Sequence, residues 1–166
     1  MKALNQGNTI LIAEDDPDDR LMIEQAFHEN GLEYNLFFVE DGVELMQYLH
    51  REAAYASSIS FPRPDLILLD LKMPRMDGFS ALSAIKKDES LRSIPVVMLT
   101  IIKTEQDVLR TYDLGGAGFI VKPNTFEELV EVVKVIHQYW FEVVELDGVE
   151  HVGKQRHRRA AVGKSR

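Results

Sequence analysis

Asp70 closes a run of four apolar residues, Leu66 to Leu69, and turn residues follow it at Pro74 and Gly78. A continuous apolar run bounded by turn signals reads as a strand buried on both faces, as at the centre of a parallel sheet. A carboxylate at the end of such a strand leaves the ladder and projects from the carboxyl edge of the sheet, where open α/β sheets bind ligands. Capping does not account for it, because Pro74 and Met76-Asp77-Gly78 stand between Asp70 and the next helical pattern. Three other apolar runs end on polar groups: Thr9–Ala13 on Glu14 and Asp15, Pro95–Leu99 on Thr100, and Gly118–Val121 on Lys122. If the strands lie parallel, all four ends share one edge. Carboxylates that close raise one another's pKa unless a cation sits among them. The set offers hard oxygen ligands and no histidine or cysteine, which suits Mg²⁺ rather than zinc. A lysine adds a point charge able to hold a phosphoryl oxygen, and a threonine adds a hydroxyl donor. A carboxylate in that company is a competent nucleophile toward a phosphoryl group, with catalysis mostly by positioning and charge neutralisation. Asp70 is the expected nucleophile and Asp15 the direct Mg²⁺ ligand. Glu14 is expected to assist, and the backbone carbonyl of Lys72 to supply a further ligand.

The elements that must position these groups alternate five times between strand and helix. After the first strand, Pro17 suits the opening turn of a helix over 20–30, with Leu21, Ile23, Ala26 and Phe27 as its apolar side. Asp16, Asp18 and Asp19 read as acids at that helix's N-terminus. Asn35–Val39 is the second strand, followed by a helix that turns Val43, Leu45, Met46 and Leu49 inward; residues 52–64 read as a long loop. The strand ending at Asp70 precedes a helix over Gly78–Asp88, and the strand ending at Thr100 precedes one over Thr104–Leu114. A last helix is expected over Thr125–Trp140, with Leu129, Val132, Val133 and Ile136 inward and Thr125 and Glu128 as a capping box. Short connections and near-continuous apolar strands argue for a parallel sheet with helices on both faces. Residues 1–141 read as one domain. Residues 142–166 form an extension with an apolar start, through Leu146, and a basic, poorly ordered tail.

With 166 residues and 45% hydrophobic content the chain fits one compact domain and a modest extra segment. It has no cysteine, which removes disulfides, thiolate metal sites and cysteine catalysis. The net charge of −8 is uneven: residues 151–166 hold six basic residues and no acid, leaving 13 bases against 27 acids, or −14, for residues 1–150. So acidic a domain repels phosphate backbones and is a poor nucleic-acid binder. No stretch reaches the length of a membrane span and no signal peptide is evident, so a cytoplasmic setting away from membranes is expected.

Glu14-Asp15, Asp70 with Met73-Pro74 and Gly78, Thr100, and Lys122-Pro123 together resemble the receiver domain of two-component response regulators, across residues 8–140. The intervals from Asp70, 30 residues to Thr100 and 52 to Lys122, are similar to those of the single-domain chemotaxis regulator. The resemblance implies a flavodoxin-like, doubly wound five-stranded sheet of order 2-1-3-4-5 with five helices. It implies phosphotransfer from the phosphohistidine of a sensor histidine kinase to Asp70, a requirement for Mg²⁺, and self-catalysed hydrolysis, in a phosphoacceptor rather than a turnover enzyme. It further implies a cis bond between Lys122 and Pro123, and a switch in which Thr100 turns toward the phosphoryl group and Phe119 fills the vacated space. Ile101-Ile102 is bulkier than the small residues often found after that threonine, which bears on the dephosphorylation rate. The loop at 52–64 and the ending Tyr139-Trp-Phe-Glu-Val-Val-Glu-Leu146 are similar to the subgroup serving phytochrome-type light-sensing kinases. That subgroup implies a homodimer through the face of the fourth helix, fifth strand and fifth helix together with the C-terminal extension, with Tyr139, Trp140 and Phe141 as candidate contacts; the competing reading folds these aromatics back onto their own domain.

Three rival readings fit less well. A haloacid-dehalogenase-like phosphohydrolase needs a second acid two residues after its nucleophile, where Lys72 stands. A flavodoxin-like nucleotide carrier wants a Gly/Ser/Thr-rich loop after the first strand, and this loop is acidic. A receiver-fold scaffold without phosphotransfer would not need the full set of reactive side chains.

Overall fold

A computed structural model describes residues 7–101 and 103–143. Five strands, β1 (Thr9–Ala13), β2 (Asn35–Val39), β3 (Leu66–Leu69), β4 (Val96–Thr100) and β5 (Gly118–Val121), alternate with five helices. These are α1 (Pro17–Glu29), α2 (Gly42–His50), α3 (Gly78–Lys87), α4 (Glu105–Asp113) and α5 (Phe126–His137). The strands pair in parallel in the order β2-β1-β3-β4-β5, as the resemblance implied. β1, β3 and β4 are buried along their whole length, which is what their unbroken apolar runs require. The edge strands β2 and β5 are only partly covered.

Alternation along the strands divides the core in two. Leu11, Ala13, Ile67, Leu69 and Met98 face α2 and α3, where Leu45, Tyr48, Phe79, Leu82 and Ile85 complete one cluster. Ile10, Ile12, Leu66, Leu68 and Leu99 face α1 and α5, where Phe27, Leu129, Val133 and Ile136 complete the other. Each such fully buried side chain contributes roughly 1.5–3 kcal/mol of transfer free energy. α4 is thinly anchored: Thr111 is its one buried residue.

Every helix begins at the carboxyl edge of the sheet with a side chain capping its first turn. Asp16, Asp41, Asp77, Thr104 and Thr125 accept from the backbone N–H of Asp18, Glu44, Ser80, Asp107 and Glu128. Each cap satisfies a donor the helix cannot pair itself.

Several expectations are corrected. Leu21 is 52% exposed rather than inward, because α1 meets the core through buried Ile23, Ala26 and Phe27, with Met22 partly covered beside them. The last α-helix stops at His137 and passes into a π-helical turn over Gln138–Val143. The His137 ring bonds Glu142 at 3.0 Å, five residues on, which matches one wider turn. That turn carries Phe141 back onto its own domain, 4% exposed and 4.8 Å from the Tyr34 ring, so Phe141 is core and not a dimer contact. Trp140 is half-buried against the same cluster, and Tyr139 stays exposed. The 52–64 segment is not structureless: it contains a 3₁₀ turn at Ala53–Tyr55, and Tyr55 and Phe61 pack with Phe37 and Tyr48. Ile102, Leu146 and the basic tail lie outside the described residues.

Candidate functional site

Three of the four polar strand ends bring their side chains together, and the fourth, Thr100, adjoins them through its carbonyl, which accepts from the Lys122 N–H at 2.8 Å. The hydrogen bonds from Glu14 N–H to the Val39 carbonyl (2.9 Å) and from Asp70 N–H to the Ala13 carbonyl (3.0 Å) extend the ladders to where the acids begin. Side-chain oxygens of Glu14, Asp15 and Asp70 then lie within 4.8 Å of one another. Glu14 and Asp70 are buried while Asp15 is exposed, so the cluster opens to solvent on the Asp15 side. Lys122, at the end of β5, points its Nζ into the group. It donates to Glu14 Oε2, to Asp19 Oδ2 at 3.1 Å, and weakly to Asp70 Oδ2 at 3.5 Å. Three oxygens that near each other are a fitting hard-ligand set for a divalent cation. Lys72 flanks the same cleft, with Asp15, Leu71 and Met73.

Burial sets the electrostatics. It pushes the Asp70 carboxyl above the ordinary carboxylate range, against the pull of Lys122 and a hydrogen bond from the Leu71 N–H. Burial likewise drives Glu14 up to about 7, outweighing its Lys122 contact, with the nearby Asp70 charge adding to the rise. For Lys122 burial alone would lower the pKa, but Glu14, Asp70 and Asp19 together hold it higher than usual and keep it cationic.

A pH dependence follows. The folded pKa of Glu14 lies above its unfolded value of 4.5, so the folded protein retains a proton between about pH 4.5 and 7. The contribution of this residue to stability therefore falls as pH rises through that window. Cations compete with the same proton, so the apparent divalent-cation Kd is expected to rise about tenfold between pH 8 and pH 6. Calorimetric titration at both pH values checks this, and Glu14→Gln should flatten the dependence.

Thr100 ends β4, 3% exposed. Its ladder partner is Val121, and Phe119 pairs with Met98 one pleat earlier, so Thr100 and Phe119 share a face. Phe119 is partly buried against the α2–α3 core. The expected cis bond before Pro123 is absent: no cis peptide occurs among the described residues. Trans is the lower-energy form for an X–Pro bond, and Lys122 reaches all three carboxylates from it.

Two contributors escaped the sequence reading. Asp19 is more than a helix-terminal acid, since it shares Lys122. Arg20 donates to the carbonyls of Glu14 (2.9 Å) and Asp15 (3.3 Å) and lies 3.8 Å from Glu40, bracing the loop that carries the acid pair. The helical spacing of Asp16 and Asp19 with Arg20 hints at a shared turn, but nothing in it indicates a lysine about a hundred residues away.

A five-stranded parallel α/β domain with clustered acids and a largely covered lysine at its carboxyl edge defines a class, the receiver domain. The chain belongs to the response regulator receiver domain family, whose model matches residues 10–134. It is similar to response regulator Rcp1 of Synechocystis, 34% identical over 142 residues, 86% of this chain and 95% of that one. Among solved structures it resembles the phosphorylated cyanobacterial phytochrome response regulator RcpA, at 36% identity and a TM-score of 0.78 over 85% of this chain and 99% of that one. It also resembles the Mn²⁺-bound form of Rcp1, at 32% identity and a TM-score of 0.77, covering 86% of this chain and all of that one. A third likeness is to RPA3017, a response regulator in red light signaling of R. palustris, at 28% identity and a TM-score of 0.82 over 86% of this chain and 100% of that one.

Proposed function

We propose that this chain accepts a phosphoryl group on Asp70 from the phosphohistidine of a phytochrome-type sensor kinase, with Mg²⁺, and changes conformation to signal. The observation that carries the reading is the buried Asp70 carboxylate facing Lys122 Nζ within a three-carboxylate cluster. An Asp70 carboxylate oxygen attacks phosphorus, and the P–N bond breaks as the O–P bond forms. The histidine imidazole leaves with the bonding electrons. Lys122 holds a phosphoryl oxygen through its ammonium, and the Thr100 hydroxyl donates to another. Mg²⁺, held by Asp15, Asp70, Glu14 and the Lys72 carbonyl, would supply the remaining positive charge. Water attacking the same phosphorus later releases inorganic phosphate and restores the carboxylate. Movement of Thr100 toward the phosphoryl group opens space on the face it shares with Phe119, which conveys the signal toward β5. The setting is cytoplasmic.

The phytochrome assignment is supported by the likeness to RcpA, Rcp1 and RPA3017 over more than four-fifths of this chain. A homodimer through α4, β5 and α5 is supported by exposed Leu109, Tyr112, Val121 and Val135 on those elements and by exposed Tyr139 in the turn that follows α5. Mixing with autophosphorylated kinases tests both claims. Rapid, Mg²⁺-dependent transfer from a phytochrome-type kinase, in preference to unrelated kinases, is expected. Light scattering of the same samples should show a mass that shifts on phosphorylation. Transfer from no histidine kinase would overturn the phosphotransfer reading, and an unchanged mass would overturn the dimer switch.

A further inference from the structure

The segment between Asp70 and α3 is fastened to a part of the molecule that has no chemical role in the proposed transfer. Arg75 donates from Nε to Asp41 Oδ2 at 2.7 Å, and the Gly42 N–H donates to the Met76 carbonyl at 3.1 Å. Asp41 is the cap of α2, 5% exposed, and its other oxygen accepts from the Glu44 N–H at 2.8 Å. The carboxylate is therefore bonded on both oxygens and has one cation beside it. Arg75 holds a positive φ of 63°, a left-handed conformation disfavoured for a non-glycine residue and kept only where the surroundings enforce it. Gly42 has no room for a side chain: a Cβ there would stand 2.6 Å from the Met76 carbonyl oxygen. Two backbone segments are thus pressed together and then pinned by an ion pair.

This fastening closes a ring around the acid cluster. The Glu14 N–H bonds the Val39 carbonyl at the end of β2, and two residues on β2's chain reaches Asp41. Asp41 and Gly42 bind Arg75 and Met76, and the Gly78 N–H ties the far end of that loop to the Leu71 carbonyl at 2.8 Å. The Asp70 N–H returns to the Ala13 carbonyl, beside Glu14. The oxygens expected to hold a cation come from two segments, 14–15 and 70–72. Besides the β1–β3 ladder and the Lys122 ammonium, which bonds Glu14 and Asp70, this ring connects them and is what reaches the Lys72 end of the second segment.

We propose that Asp41 and Arg75 are positioning residues for the metal and phosphoacceptor site, holding the Lys72-bearing loop at a fixed distance from Asp15. This rests on the Mg²⁺ reading above. The guanidinium touches neither the acid cluster nor the phosphoryl position; it acts by keeping the loop against α2. Residues that orient metal ligands from outside the ligand set typically alter affinity by about 10–100-fold when lost. The lower end applies to a contact one loop away.

The test is Mg²⁺ and Mn²⁺ titration by calorimetry on the unphosphorylated protein. Arg75→Gly keeps the left-handed backbone and removes the cation. Asp41→Asn keeps the helix cap and removes the charge. Both are expected to raise the Mg²⁺ Kd about tenfold while the metal-free melting temperature of Arg75→Gly stays within a few degrees of the parent. Arg75→Lys should recover much of the affinity by restoring a charge beside Asp41. Parent-like Mg²⁺ affinity in Arg75→Gly, with Asp15→Asn binding weakly, would overturn the positioning role and leave the metal site intact. Absence of Mg²⁺ binding by the parent protein would overturn the metal reading itself.

Discussion

Asp70→Asn is expected to take up no phosphoryl group from acetyl phosphate and Mg²⁺, a loss of at least about a thousandfold against the parent. The amide keeps the shape of the carboxyl group and the end of β3 but has no anionic oxygen to attack phosphorus. The folded protein should not suffer. Burial holds the Asp70 carboxyl above its ordinary range, so its charged form is penalised on folding at neutral pH, and a neutral isostere removes that penalty. The melting temperature of Asp70→Asn without divalent cations should therefore equal or exceed the parent's at pH 8. Intact-protein mass spectrometry under conditions that preserve acyl phosphate, with a thermal melt, checks both halves. A stable Asp70→Asn that still gains about 80 Da would move the nucleophile elsewhere. Glu14 is too engaged with Lys122, and Asp15 too exposed, to be an equal substitute.

Gly78→Val should cost about 3 kcal/mol of stability, the upper end for overpacking a close-packed site, and should disable phosphorylation as well. A Cβ at this position would stand 2.9 Å from Leu71 Cα and 2.9 Å from Met98 Cε, and closer still to the Asp70 carbonyl oxygen. Met98 can swing away, but the backbone of Asp70 and Leu71 cannot yield without shifting the nucleophile. The melting temperature should fall by roughly 10 °C, and phosphorylation by acetyl phosphate should fall more than the unfolded fraction explains. A variant with parent-like melting would mean that the β3–α3 connection is far softer than this geometry allows.

The strand ends were legible because the signal was local. An unbroken apolar run stops, a charged or hydroxyl side chain follows, and a parallel sheet of these segments puts such ends on one edge. Pro17 at the first turn of α1 and Thr125 as a cap came from the same short-range rules. What could not be read depended on partners distant in sequence. The Arg75–Asp41 pair follows from a left-handed loop residue meeting a helix cap, and neither residue looks unusual alone. Asp19 joins Lys122 only once α1 is docked. Leu21 suits an inward helical stripe equally well until the tilt of α1 against β1 is known. Phe141 suits either a dimer contact or a fold back onto its own domain, and the widened turn that decides for Tyr34 has no simple sequence signature. The cis bond at Pro123 was carried over from resemblance, and the lysine reaches its acids without it.

α4 touches the rest of the molecule lightly, with Thr111 buried and Arg110 lying 4.3 Å over the Phe79 ring. A helix that hides so little apolar surface can be shifted or rotated at small energetic cost, whereas displacing α1 or α5 would tear open a packed layer. Local opening free energies are lowest in such thinly covered segments. Among α1 to α5, α4 is thus the helix most easily displaced, and a small rearrangement at the carboxyl end of β4 has a compliant lever to push against rather than a rigid wall.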